Sequence, residues 1–232
     1  MKNRFSLLST AEMSNPIALR SILAFLLLWL PLGSSEKQTE VEGGLKRGME
    51  AFNRKCSSCH GTGGEGKREL KAPAIAGLPL WYTQLQIESF KKGFRGGHEK
   101  DLFGAMMRNG ILNLSDSELS SALLYASQLQ PNKIKETLGG NVSRGKKSFK
   151  QHCAECHRYD ASGEKVFKSA PLVMLEGWYL KEQLRKFTEG LRGQHPKDQR
   201  GQKMVEALGA PLEELVYEDL IAYIGSQRKL SK

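Results

Sequence analysis

The sequence predicts an all-α protein built from two equivalent domains in tandem. Apolar residues recur with helical spacing through both halves, and no convincing period-two strand interrupts them. The second half also repeats the first at a shift of 97 residues, which is the sign of an internal duplication. The shift pairs Arg47 with Arg144, Gly48 with Gly145, Phe52 with Phe149, Trp81 with Trp178, and Tyr82 with Tyr179.

The repeat also predicts where the domains begin and end. It places them at residues 41–130 and 141–230, with residues 131–140 as a linker. This linker contains a proline, two lysines and a double glycine, a composition typical of a connecting segment. At 232 residues the chain has the length of two small domains.

Each half contains the same succession of predicted helices. They cover residues 43–56, 81–92 and 115–129 in the first half, and residues 141–153, 178–189 and 212–226 in the second. Ser115 precedes Glu118 by three residues, which predicts a capping box at the start of one helix. The loops between helices contain glycine and proline and are long, as expected where a cofactor fills part of the core of a small domain.

Four cysteines are present, arranged as two copies of Cys-x-x-Cys-His. The copies consist of Cys56, Cys59 and His60, and of Cys153, Cys156 and His157. A thioredoxin-like pair would lie near a βαβ pattern, and a four-cysteine zinc module usually keeps its pairs roughly 15–20 residues apart, whereas a domain separates these pairs. Cys-x-x-Cys-His is the signature of covalent haem attachment. The motifs therefore predict two covalently attached c-type haems (heme c).

The second axial ligand decides what a haem iron can do. An open position permits catalysis, whereas methionine with histidine gives an electron carrier of raised potential. Among the methionines, the shift pairs Met107 with Met204, while Met106 falls opposite a lysine. We therefore predict Met107 and Met204 as distal ligands. His98 and His195 are also matched, but their polar neighbours favour an exposed loop or a helix start over iron ligation.

Each proximal histidine needs a hydrogen-bond acceptor for its second ring nitrogen. Pro73 and Pro171, in the loops after the motifs, are the predicted sources of that carbonyl, although they stand one residue out of the register. Arg158 follows the second motif where the first has glycine. We expect this cation to disfavour the ferric state and raise the potential of the second haem, with Asp160 partly offsetting it.

Residues 1–35 have the features of a secretory signal peptide. Three basic residues precede an apolar run over residues 22–32, and small residues follow at positions 33–35. The apolar run is shorter than the roughly 20 residues of a membrane-spanning helix, so cleavage is favoured over a retained anchor. A cleaved signal predicts export to the periplasm with no stable membrane insertion.

The chain is basic, with a net charge of +10. Loss of residues 1–35, which hold three basic residues and one acidic residue, would lower this to +8. The charge is spread over both halves without a nucleic-acid-binding motif, so nucleic acid is not an expected partner. We expect the charge to steer the protein toward redox partner proteins with acidic docking surfaces.

The order of these features resembles that of the class I cytochromes c, and the duplication resembles the dihaem cytochrome c4 type. The resemblance covers residues 41–230 and rests on Cys-x-x-Cys-His, a proline, an aromatic-led helix, an Arg-Gly-x-His-x-Lys-Asp segment, a methionine and a last helix with tyrosine. It implies two helical domains, each wrapped around one haem. It implies attachment through Cys56, Cys59, Cys153 and Cys156, and axial ligation by His60, Met107, His157 and Met204.

The resemblance also implies a function. It indicates an exported dihaem carrier that shuttles single electrons between respiratory redox partners, with no catalytic residue. Two alternatives stay open: a dihaem redox enzyme, such as a sulfur-compound dehydrogenase or a peroxidase, and an electron-transfer subunit of a membrane complex. The second half departs from the family pattern at Arg158 and by one extra residue before the last helix.

Overall fold

The computed structural model describes residues 34–134, 138–209 and 214–228. These ranges contain ten α-helices and two short 3-10 helices, and no β-strand beyond the isolated bridges Lys67–Ala72 and Glu164–Ser169. The all-α prediction is therefore confirmed. The predicted signal peptide lies outside the described residues except for its last two positions.

The helices repeat in the same order in both halves. The first half holds α1 (Ser34–Lys55), α2 (Ser57–His60), α3 (Leu80–Lys91), α4 (Leu102–Leu112) and α5 (Asp116–Gln128). The second half holds α6 (Val142–His152), α7 (Ala154–His157), α8 (Gly177–Thr188), α9 (Gln199–Leu208) and α10 (Glu214–Gln227). The 3-10 helices, Arg68–Leu70 and Leu172–Met174, occupy the loop after each motif. Both repeats belong to one compact unit that begins at Gly43.

Local sequence signals explain where several helices start. The hydroxyl of Ser115 accepts a hydrogen bond from the backbone N–H of Glu118 at 3.2 Å, and the Glu118 carboxylate accepts one from the N–H of Ser115 at 3.1 Å. The predicted capping box is thus confirmed. The sequence pattern did not predict α4 and α9, which are short and contain glycine. Their start signal is an N-capping aspartate, Asp101 and Asp198, each 3.0 Å from the N–H three residues on.

The first and last helices of each domain touch through their backbones. A Cβ atom on Gly48 of α1 would lie 2.5 Å from the carbonyl oxygen of Ser121 in α5. A Cβ atom on Gly145 of α6 would come closer still to the carbonyl oxygen of Asp219 in α10. Glycine is required at both positions because any side chain would push the helices apart. The partners are offset by 98 residues, in agreement with the extra residue before the last helix.

The hydrophobic core is continuous between the halves. Leu78 and Tyr82 from the first half belong to the same buried cluster as Phe149, Trp178 and Tyr179 from the second. A separate apolar cluster around Phe52 closes the first half against α5. In the part of the chain that the structure describes, no helix is both long enough and apolar enough to span a bilayer.

Candidate haem-binding sites

One helical turn brings each cysteine pair and its histidine together. Cys56 directly follows α1, and the backbone N–H of His60 donates to the carbonyl oxygen of Cys56 at 2.9 Å. The N–H of His157 donates to the carbonyl oxygen of Cys153 at the same distance. All four thiols are free, the first of each pair half-buried and the second exposed. The spacing of the motif thus places two thiols and one imidazole on one short helix.

A backbone carbonyl holds each imidazole. Nδ1 of His60 donates to the carbonyl oxygen of Pro73 at 2.8 Å, which confirms that prediction. Nδ1 of His157 donates to the carbonyl oxygen of Ala170 at 3.0 Å, so the prediction of Pro171 is wrong. Both acceptors lie 13 residues after their histidine, because Ala170 is in the 97-residue register and Pro171 is not. A main-chain carbonyl group can accept this hydrogen bond whatever side chain its residue carries.

The two imidazoles are in the form that binds a metal. Burial lowers the pKa of His60 and of His157 below the ordinary value of 6.5, and the carbonyl hydrogen bond only partly opposes this. Each ring is therefore neutral at pH 7, with its proton on Nδ1. Nε2 keeps its lone pair available for an iron ion.

The cysteine environments argue against a thiolate site. Burial, with a smaller contribution from the neighbouring thiol, raises the pKa of Cys56 to about 11 and that of Cys153 to about 12. Reactive or metal-binding thiols have lowered pKa values instead. Within the described ranges, no group of three or more histidine, cysteine, aspartate or glutamate side chains could hold a metal ion. Each pair thus combines one half-buried thiol and one exposed thiol with a neighbouring histidine.

A largely apolar cavity of about 240 Å³ lies beside the first motif. It brings together Cys56, Cys59, His60 and Met107, all of them predicted site residues. Its apolar walls include Leu78, Ile87, Phe90, Ile111, Leu114 and Leu119. An apolar cavity with a few polar groups is the usual form of a cofactor site. A larger, more open cleft of about 540 Å³ around Lys181 contains none of the predicted site residues.

The packing of α4 distinguishes its two adjacent methionines. Met107 is half-buried and packs against the cluster of Phe90, Ile111 and Leu119. Met106 also borders the cavity but is 59% exposed. Met204 is half-buried in α9, six residues after its capping aspartate, as Met107 is in α4. Packing therefore favours Met107 over its neighbour as the residue that faces a cofactor.

The two remaining matched histidines lie at the surface. His98 and His195 are exposed and precede α4 and α9. Each Nδ1 accepts a backbone N–H two residues on, from Lys100 and Lys197, at 3.1 Å. Neither histidine lines the first cavity. The predicted role of an exposed residue near a helix start is confirmed for both.

One part of the first site was missed by the sequence reasoning. Tyr179, Gln183 and Lys186 from α8 of the second half line the cavity of the first half. Arg95 lines it too, and donates to the hydroxyl of Tyr179 at 2.8 Å. The repeat pairs Arg95 with Arg192, but that match does not indicate which helix forms this wall.

The family model for cytochrome c matches residues 45–130 and 142–228. Among solved structures, the chain is similar to reduced recombinant cytochrome c4 from Pseudomonas stutzeri, with a TM-score of 0.61 and 23% identity over 77% of this chain and 96% of that one. It is also similar to cytochrome c4 from Acidithiobacillus ferrooxidans, with a TM-score of 0.57 and 20% identity over 75% and 99% of the two chains. At these identities the likeness shows the fold.

Two further similarities involve longer proteins. The thiosulfate dehydrogenase TsdBA from Marichromatium purpuratum has a TM-score of 0.61 and 22% identity, over 78% of this chain and 40% of that one. The Cbb3-type cytochrome c oxidase subunit FixP from Bradyrhizobium diazoefficiens is 27% identical over 123 residues, which are 48% of this chain and 38% of FixP. The chain thus spans less than half the length of either protein.

Proposed function

Because the chain belongs to the cytochrome c family, we propose that it carries two covalent c-type haems and passes single electrons between redox partner proteins. The family implies covalently bound haem, and two Cys-x-x-Cys-His motifs provide for two of them. The observation that carries the proposal is the first cavity. There a neutral imidazole, a half-buried methionine and two free thiols border the same apolar space.

The residues present fit the haem group. We propose that Cys56 and Cys59 attach the first haem and Cys153 and Cys156 the second, and that the axial ligands are His60 with Met107 and His157 with Met204. All four thiols are free for thioether formation, and a histidine with a bound Nδ1 suits ligation through Nε2. When bound, the haem iron changes between ferric and ferrous and so stores one electron.

The protein orients the two imidazole rings and excludes substrates and water from the site. The carbonyl groups of Pro73 and Ala170 hold the Nδ1 protons and so fix the ring planes. A methionine in the sixth position closes the site to substrates, which suits a carrier better than an enzyme. The apolar walls around Phe90 keep water away, and this favours the less charged ferrous state. These features together support electron transfer without a chemical substrate.

The similarity to TsdBA supports a second candidate, a dihaem enzyme in which one haem acts on a sulfur compound. The similarity to FixP supports a third, an electron-transfer subunit of an oxidase complex. The sixth ligand distinguishes the carrier from the enzyme, because a catalytic haem needs an open or weakly bound position. Fe–Met absorbance for both haems would therefore favour the carrier.

The setting of this carrier is also a proposal. We place it in the periplasm after removal of residues 1–35, with haem domains at residues 41–130 and 141–230 joined by residues 131–140. The signal-like sequence supports export, and covalent c-type haem is assembled outside the cytoplasm. The net charge of +8 after processing supports partners with acidic docking surfaces.

The test is expression with c-type haem maturation, followed by intact mass under denaturing conditions. The mass should exceed that of the processed polypeptide by two haem groups, and a Cys56→Ser/Cys59→Ser variant should lose one. The reduced protein should not bind carbon monoxide, since methionine fills both sixth positions. Bound zinc or a disulfide in place of haem would overturn the proposal, and carbon monoxide binding with thiosulfate oxidation would favour the enzyme.

A further inference from the structure

The second domain completes the cavity of the first. His60 and Met107 lie on one part of its wall, and Tyr179, Gln183 and Lys186 of α8 form another part. A charge on α8 therefore acts on whatever occupies the cavity of the other domain. This wall also contains a polar network that crosses between the domains.

A buried guanidinium group and a half-buried one share one acceptor in that network. Arg95 donates to the Tyr179 hydroxyl at 2.8 Å and to Oε1 of Gln183 at 3.3 Å. Arg192 donates to the same Gln183 oxygen at 2.6 Å. Each guanidinium also lies 4.3 Å from the centre of a phenylalanine ring in its own half. Arg95 and Arg192 thus occupy equivalent places, one from each repeat.

The repeat fails at one charged position of the network. The shift pairs Arg95 with Arg192, Tyr82 with Tyr179, and Asp101 with Asp198, but it places Lys186 opposite Ser89. Nζ of Lys186 lies 2.7 Å from Oδ1 of Asp101, with side chains only 9% and 3% exposed. The Ser89 hydroxyl instead donates to a carbonyl of its own helix at 2.9 Å. Ser89 is uncharged and therefore cannot form an ion pair with Asp198.

The formal charges at the two walls therefore differ by one. Five charged side chains line the first cavity, and together with Asp101 they sum to +2: Lys55, Lys71, Arg95, Glu182 and Lys186. Their equivalents in the repeat sum to +1: His152, Lys168, Arg192, Leu85, Ser89 and Asp198. The Glu182 carboxylate lies 2.8 Å from Arg185 and 3.9 Å from Nζ of Lys186, and it falls opposite the uncharged Leu85 in the repeat. The first wall is thus the more positive.

We propose that Lys186 determines the order of the two haem potentials: its ammonium group, held at the first cavity by Asp101 across the domain boundary, makes the first haem the higher in potential. The inference rests on the proposed function, because it requires a haem in that cavity. A ferric haem has one more positive charge than a ferrous haem, so a nearby cation disfavours it. Burial of the ion pair keeps this effect from being screened by salt.

Arg158 does not reverse this order. Its guanidinium is exposed and pairs with the carboxylate of Glu164 at 2.7 Å, so water and Glu164 both offset its charge. The sequence-based expectation of a raised second potential counted Asp160 as a partial offset to Arg158 but not Glu164. The charge of the buried Lys186 has the larger effect on a haem potential, because its surroundings contain less water.

The experiment is a redox titration of the haem-loaded full chain, followed by visible absorbance, with Lys186→Met as the main variant. We expect one of two waves to move to lower potential and the other to stay. The expected shift is about tenfold in the ferrous-to-ferric ratio at a fixed potential, or about 59 mV for a one-electron couple. A Met107→Ala background, in which only the second haem keeps methionine, assigns the shifted wave to the first haem.

Two variants separate charge from structure. Lys186→Arg keeps the charge and should leave both waves in place. Ser89→Lys adds the missing charge at the second wall and should raise the other wave, and it does not depend on whether Lys186→Met folds. The inference would be overturned, without affecting the proposed function, if both waves kept their potentials in Lys186→Met and in Ser89→Lys. A shift of the second haem in Lys186→Met would overturn it too. A protein without two haem waves would overturn the proposed function as well.

Discussion

Nδ1 of His157 donates its hydrogen bond to the carbonyl oxygen of Ala170, at 3.0 Å. In the first domain the equivalent bond ends on the carbonyl of Pro73, at 2.8 Å. A spacing of 13 residues is common to the two bonds, whereas the residue type is not. The length of the loop therefore determines which carbonyl meets the ring, and a proline is not needed for the contact.

The two methionines proposed as ligands can be tested one at a time. Met107→Ala and Met204→Ala should each remove about half of the Fe–Met absorbance and lower the potential of one haem, because the iron loses its thioether ligand. Met106→Ala is the matched control and should leave the spectrum unchanged, since that side chain is 59% exposed. Loss of absorbance in the control would show that the ligand is Met106.

Arg158→Gly should stabilise the protein. Arg158 has φ 65° and ψ 159°, close to the φ 80° and ψ 155° of the equivalent Gly61, a region that glycine alone occupies readily. Relief of that strain should raise the free energy of unfolding by about 1–2 kcal/mol, measured by denaturant titration.

The reciprocal control for that substitution is Gly61→Ala. It introduces the same backbone strain in the first domain and should lower the free energy of unfolding. The larger of the two shifts in haem potential should be smaller in Arg158→Gly than in Lys186→Met, because Glu164 already offsets the arginine charge. An unfolding free energy that falls in Arg158→Gly would contradict this account.

The helix contacts at two glycines should not tolerate a methyl group. Gly48→Ala and Gly145→Ala should each lower the free energy of unfolding by about 1–3 kcal/mol, because the new Cβ atom would overlap a backbone carbonyl of the last helix. Gly44→Ala, in the same helix as Gly48 but with no atom within 4 Å of a new Cβ, is the control. It should raise stability by roughly 0.5–1 kcal/mol through helix propensity, so equal effects at all three positions would refute the contact.

Acid should weaken the ion pair between the domains. Burial alone would raise the pKa of the Asp101 carboxyl, but the hydrogen bond and charge of Lys186 outweigh it and hold the pKa below the ordinary value of 3.8. Because the folded pKa is the lower one, the pair contributes fully above about pH 3.8 and its contribution is lost as pH falls through the folded pKa.

The measurement is the unfolding free energy of the parent protein and of Lys186→Met across this pH range. The difference between the two proteins should shrink as the pH falls, because the carboxyl becomes neutral and no longer needs its partner. Comparison of the two proteins cancels the titration of carboxyl groups far from the interface. A difference that stays constant down to pH 2 would mean that the pair does not contribute through its charge.

Electron exchange with an acidic partner should slow as salt rises. Exposed charges are screened within about 10 Å at 0.1 M ionic strength, and residues 36–232 have a net charge of +8. Stopped-flow reduction by a negatively charged redox protein should fall in rate with added salt, while reduction by a small neutral reductant should not. Equal salt responses would argue that the positive charge plays no part in docking.

The short-range chemistry of this protein is determined by sequence alone. Cys56, Cys59 and His60 meet because spacings of three and one residues span a single helical turn, whatever surrounds them. The capping box at Ser115 is equally local. The repeat and the helical periodicity also predict the fold class. They indicate which helix faces are buried, and this does not require knowledge of any particular contact.

Tertiary structure decided the long-range contacts. Lys186 meets Asp101 across 85 residues of chain, and nothing in either local sequence indicates the other. The choice of Ala170 over Pro171 depends on how one loop folds back, and the use of α8 as a wall of the other domain's cavity depends on how two surfaces pack. Such contacts arise from the complementarity of surfaces distant in sequence, which local spacing does not encode.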